Sequence, residues 1–323
     1  MQISSEFDIF LFKKQMLTSF VERAARKPLR GKVGLPFQLC MVEQLPLWSG
    51  FFKSLGFEVV LGDSCSASLR EIGGFKICYF ARLMISQIEG LLNKGADFIF
   101  LPCEAYDVKD YYTVDEQRCS VLAYGPEIFK VINGRLTEEN FRAPYLDVKE
   151  KKKNLRKLCA VLSDYEISKK EIKRALESGN SQLNEYRLAV KKRAKTLLYK
   201  ARQSKKRIAL IAGRTYFISE ITGKDFSSSV ALLTEDCISC DDNVSDSRIY
   251  RERLFCAARF CLENPDVSFV HLVAKGCETD EMISEELRAV LKKHGRAYDR
   301  IEVGEDKTDD AVSTELKKIL NEK

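Results

Sequence analysis

Between residues 148 and 206 the chain carries no proline and a single glycine, Gly179, and is packed with Lys, Arg, Glu, Leu and Ala. Such a composition favours two or three long helices. It separates two stretches in which short apolar runs alternate with helical patterns, the signature of α/β units built on mostly parallel sheets. The expected organisation is an N-terminal helix over 1–29, a first α/β domain over 30–147, a helical connector over 148–206 and a second α/β domain over 207–323.

The runs that carry this reading are specific. Residues 5–27 have apolar positions Phe7, Phe10, Leu11, Leu17, Phe20 and Val21 at helical spacing. Lys32–Leu35 begins a short apolar segment that Pro36 interrupts, and Leu45–Leu55 reads as a helix. Phe57–Leu61 and Asp97–Leu101 read as strands, the first introduced by Gly56 and the second stopped by Pro102. Arg82–Asn93 reads as a helix ended by Lys94-Gly95, and Ser120–Tyr124 is another apolar segment. In the second stretch, Arg207–Ala212, Val230–Leu233, Ser268–Val273 and Arg300–Val303 are strand candidates. Glu281–Lys293 and Asp309–Leu320 are helices. No sequence repeat relates the two stretches, but two similar units suggest a cleft between them.

Eleven cysteines stand beside only two histidines, His271 and His294. No apolar run approaches the ~20 residues of a membrane span. The first ten residues carry two acids and no base, so no secretory signal is expected and the cytoplasm is the expected compartment. An odd thiol count in a reducing compartment disfavours disulfides. Buried free thiols and metal ligands remain, and the shortage of histidine favours sites of thiolate alone, as in iron–sulfur clusters or Cys-only zinc.

Cys103 directly follows a strand and Pro102, and ligands of open parallel sheets bind beyond the carboxyl ends of strands. Cys277 stands in the same relation to Ser268–Val273, just after Gly276, which permits a tight turn. Cys78 precedes a helix, where its thiolate would meet the positive end of the dipole. Spacing alone favours reading each as a small buried hydrophobe. Cys237 and Cys240 form a C-x-x-C, but the acids around them, Glu235, Asp236, Asp241 and Asp242, oppose thiolate chemistry. A four-thiolate site there would need a second pair, which Cys256 and Cys261 could supply at a loose spacing. Cys119 is intermediate, and Cys40, Cys65 and Cys159 read as structural.

The net charge of +6 comes with a pI of about 8.6, short of a dedicated nucleic-acid domain. The basic runs Lys151–Lys153 and Lys191–Arg193 read as solvated helix faces, with docking of an acidic partner as the alternative. No G-x-x-x-x-G-K-[ST], no G-x-G-x-x-G after a strand and no G-x-S-x-G occurs. ATP hydrolysis by this chain is therefore not expected, and two histidines leave little room for a histidine triad.

An ordered set of segments resembles the acyl-CoA dehydratase activase-related family, grouped with 2-hydroxyacyl-CoA dehydratases, benzoyl-CoA reductases and double-cubane cluster proteins. The set comprises Val33–Pro36, Leu47–Leu61, Cys78–Arg82, Ala96–Cys103, Cys119 with Tyr124 and Pro126-Glu127, Ala212–Tyr216, and Lys275–Cys277 with Asp280. Phe80 and Thr215 stand where the family has proline, and Ile218–Val230 is shorter than usual. The resemblance implies two Rossmann-like α/β domains facing each other over a [4Fe–4S] cluster, or a double cubane shared across a dimer. Its ligands would be Cys78, Cys103 and Cys277, with Cys119 as an additional one. It further implies a separate ATP-dependent activator that passes a low-potential electron to the cluster, an acyl-CoA or other small-molecule substrate, and a homo- or heterodimer. A non-catalytic electron-transfer or cluster-carrying subunit, and a cluster-free cysteine-rich binding protein, are the alternatives.

Overall fold

The computed structural model describes residues 5–63, 77–105, 119–147, 150–217, 230–238, 250–305 and 309–321. The chain divides into two compact units, Leu17–Tyr186 and a second formed by Met1–Met16 with Arg187–Lys323. The first helix, α1 (Ile9–Glu22), therefore contributes to both. It starts at Asp8, whose carboxylate accepts the N–H groups of Phe10 (2.8 Å) and Leu11 (3.1 Å), an N-cap.

In the Leu17–Tyr186 unit, β1 (Gly31–Leu35), α2 (Cys40–Ser54), β2 (Phe57–Leu61), α3 (Tyr79–Asn93), β3 (Phe98–Phe100), β4 (Cys103–Ala105), α4 (Ser120–Ile132), β5 (Phe141–Arg142) and β6 (Tyr145–Asp147) follow in order. The main sheet runs β2-β1-β3-β5, all parallel, and β4 pairs with β6 in a separate parallel pair. The Ser120–Tyr124 segment opens a helix rather than a strand. Tyr124, at φ −127°, and Pro126 bend that helix. The core is a run of edge-to-face rings, with Phe52 meeting Phe51, Phe57, Phe98 and Phe100, and Trp48 lying 4.8 Å from Phe100.

The helical stretch forms α5 (Lys151–Val161), a single 3-10 turn at Ser163–Tyr165, and α6 (Lys169–Gln203). Helix α6 begins at a reciprocal capping box. The Glu171 N–H donates to Ser168 Oγ at 3.2 Å, while the Ser168 N–H donates to the Glu171 carboxylate at 3.0 Å. Its one glycine has a packing reason. A Cβ on Gly179 would lie 2.3 Å from the Leu47 carbonyl oxygen, so α6 crosses α2 too closely for any side chain there.

The other unit holds β7 (Arg207–Ala212), β8 (Val230–Thr234), α7 (Tyr250–Glu263), β9 (Val267–Ala274), α8 (Glu278–Lys293), β10 (Asp299–Val303) and α9 (Asp309–Asn321). Its sheet runs β10-β9-β7-β8, again all parallel. Numbered along each sheet's own sequence of strands, both units have the order 2-1-3-4. Two Rossmann-like folds thus repeat without a sequence repeat. No described helix is long and apolar enough to cross a membrane.

Alanine is normally the better helix former, yet Gly179→Ala is expected to lower stability by about 1–3 kcal/mol through the clash with Leu47. Urea denaturation followed by far-UV circular dichroism measures it. An unchanged or raised midpoint would contradict the close crossing.

Candidate functional site

In a sheet of order 2-1-3-4 the crossovers reverse between the first and third strands, and the loops at their carboxyl ends splay apart to leave a crevice. Cys103 lies just beyond the third strand of its unit, and Cys277 just beyond the third strand of the other. Each unit therefore offers one cysteine at the corresponding place. Cys277 is reached through Gly276 at φ +72° and is the N-cap residue of α8.

Two more cysteines of the Leu17–Tyr186 unit also precede helices, Cys78 as N-cap of α3 and Cys119 as N-cap of α4. Helix α4 packs against both α3 and β4. That packing brings the Cys78 and Cys119 thiols within electrostatic reach of each other. Cys103 opens β4 in register with Tyr145, and its N–H donates to the Pro144 carbonyl at 3.0 Å. Glu127, carried past the bend in α4, interacts with Cys103 and accepts a hydrogen bond from the Tyr145 hydroxyl. The cysteine-bearing segments and the Tyr124–Glu127 stretch thus meet around β4, although they are far apart in sequence.

The electrostatics hold the Cys103 and Cys78 thiols neutral. Burial pushes Cys103 up to about 12, and Glu127 adds to the shift. Burial also raises Cys78. The amides of Ala81 and Phe80 at the start of α3 oppose this without forming a cap hydrogen bond of normal geometry, and the Cys119 thiol reinforces it. Tyr145 is raised well above the usual tyrosine value by burial and Glu127, so it keeps its proton. Among the described residues no three His, Cys, Asp or Glu side chains are arranged as a metal-binding group. In chemistry the donors fit a thiolate-seeking metal: they are sulfur, without histidine, and a bound cation would supply the charge that deprotonates them.

A pair that the sequence could not couple fixes the Cys277 loop. Arg214, just past β7, donates two hydrogen bonds to Asp280 Oδ1 (2.7 and 3.0 Å) and lies 3.8 Å over the Tyr250 ring. The fully buried Asp280 turns Oδ2 to the Ala274 N–H at 3.0 Å, clamping the turn that ends at Cys277. The two residues stand in separate motif segments, and that was the only signal in the sequence.

The C-x-x-C is only half within the described residues, since Cys240 lies outside them, as do Cys65 and most of Ile218–Val230. Cys237 is buried, and burial with the neighbouring Asp236 pushes its thiol up to about 12. Cys261 is likewise raised to about 12 by burial. Cys256 is half of a disulfide, which corrects the expectation of free thiols throughout and withdraws it as a ligand. Cys40 and Cys159 are half-buried free thiols on α2 and α5.

A family model described as the CoA enzyme activase uncharacterised domain matches residues 32–238, more than half of the chain. The chain belongs to this family. The matched span includes Cys78, Cys103, Cys119 and Cys237 and stops before Cys277. No curated protein matches the chain. Membership makes this an activase-domain chain whose context is the activation of a CoA-dependent enzyme.

Beside Cys237 sits an ionisable pair with a readable pH signature. Lys13, buried on α1, donates to Asp236 at 2.7 Å, whereas the buried Glu235 has an orphan Oε1. Burial and the Asp236 charge push Glu235 up to about 7. Its proton is thus held more tightly folded than unfolded. The cost of ionising it grows as pH rises above about 4.5 and is complete above about 7. Glu235→Gln is therefore expected to stabilise the protein by about 2–3 kcal/mol at pH 8 and by much less at pH 5, measured by denaturant titration at both values. Equal effects at the two pH values would contradict the assignment.

Proposed function

We propose that the activase-domain family member described here is a thiolate-cluster protein that relays a low-potential electron during activation of a CoA-dependent enzyme. The supporting observation is the equivalence of Cys103 and Cys277, each beyond the third strand of a sheet of order 2-1-3-4. Cys78 and Cys119, placed near each other at two helix N-termini, complete the ligand candidates. A [4Fe–4S] cluster on cysteines of this set would supply one-electron chemistry and, with one iron left open, a Lewis-acid position. The Arg214–Asp280 clamp fixes the Cys277 turn. Beside Cys103 the Tyr145 hydroxyl donates a hydrogen bond to Glu127. The matching partners are a separate ATP-driven activator and, at an open iron, an acyl-CoA or related thioester. A reducing cytoplasm suits the thiol chemistry.

The test is metal content after anaerobic reconstitution with iron and sulfide. The wild-type chain is expected to become brown, with broad absorption near ~400 nm and acid-labile sulfide. Cys103→Ser should lose most of the iron, while Cys159→Ser should keep it. A colourless wild-type protein, or equal iron in both variants, would overturn the proposal.

A further inference from the structure

The Leu17–Tyr186 unit has a second feature at the opposite edge of its sheet. A cavity of about 500 Å³ opens where the chain enters β1 and where α2 ends before β2. It is lined by Arg23, Arg26, Lys53, Glu171, Arg174 and Gln182, among others. Cys103 lies at the carboxyl edge of this sheet, and the cavity lies at the amino edge, so the two are separate.

Most charges in the wall are already committed. Arg23 makes a bidentate pair with Glu185 at 2.7 and 3.1 Å. The Lys53 ammonium donates to the carbonyls of Phe20, Val21 and Arg23 at the end of α1, and burial holds it down to about 8. Glu171 is used by Ser168 and Arg30. Arg26 and Arg174 are different, for neither side chain makes a hydrogen bond or ion pair among the described residues. Two free guanidinium groups at the mouth of one cavity make a fork-shaped anion site, and guanidinium planes match phosphate oxygens in pairs.

The wall is built rather than loose. The Arg26 N–H donates to the Lys53 carbonyl at 2.9 Å, and the Arg30 N–H to that of Gly56 at 2.8 Å. Gly56 sits at φ +89°, with Pro28 O at 2.7 Å from where a Cβ would be. On the inner wall, Gln182 is pressed against Gly50, where a Cβ would lie 2.7 Å from its amide carbon.

We propose that this cavity binds a phosphate ester of nucleotide size, with its phosphates on Arg26 and Arg174. The volume lies within the range of small-molecule sites and exceeds what inorganic phosphate needs.

Isothermal titration calorimetry of the full chain with ADP, and separately with inorganic pyrophosphate, tests it. Both are expected to bind. The double variant Arg26→Ala/Arg174→Ala should weaken both by about tenfold or more, and since both arginines are exposed the fold should be retained. No heat from ADP at millimolar concentration, or an undiminished double variant, would overturn the proposal.

Discussion

Burying a thiol without a cation keeps its proton on, and the candidate site is organised around that cost. Cys78 has the help of a helix N-terminus and still titrates higher than a free thiol; Cys103 has no such help and is raised to about 12. The positive helix end is worth about 1 kcal/mol or less at such positions, too little to offset desolvation and a neighbouring thiol. A bound cation reverses the balance at once, because its charge acts at coordination distance. These cysteines are therefore either inert buried groups or ligands waiting for a metal. They are poorly suited to act as free nucleophiles at neutral pH.

The parallel sheets explain why the cysteines stand where they do. A parallel strand is covered on both faces, so polar chemistry is pushed to its ends. The 2-1-3-4 order opens a crevice at one of those ends, and both units place a cysteine beside it. The surroundings then differ. Around Cys103 the support comes from Glu127 and Tyr145 on a bent helix and a short strand. Around Cys277 it comes from a buried Arg–Asp pair reaching from the first strand to the helix after the third.

Much of the fold was legible in the sequence. The apolar runs of β2, β3, β7, β9 and β10 and the punctuated helices α3 and α8 carry their own signals. Helix α7 was missed, since Tyr250–Glu263 mixes arginines with apolar residues and has no clear stop. Strands β4, β5 and β6 are two or three residues long, too short to show a period of two. Ser120–Tyr124 gave no periodicity that separates helix from strand. The repeated strand order was invisible, because topology is set by which strands pair. At the site, the placement of Cys103 and Cys277 after strands and of Cys78 before a helix could be read directly. The nearness of Cys78 to Cys119 and the clamp between Arg214 and Asp280 could not, because only tertiary packing makes them neighbours. The isolated Gly179 was visible as an oddity, and its reason emerged with the Leu47 carbonyl it lies against.

The proposal depends on Cys78, Cys103, Cys119 and Cys277 being cluster ligands. Differential alkylation measures this directly: anaerobic protein is labelled with iodoacetamide before and after iron and sulfide are loaded, and each cysteine is quantified by mass spectrometry. The half-buried Cys78, Cys119 and Cys277 should lose labelling together on loading, while Cys159 is labelled equally in both states. Unchanged labelling of these three, or protection of Cys159 to the same degree, would contradict the ligand assignment.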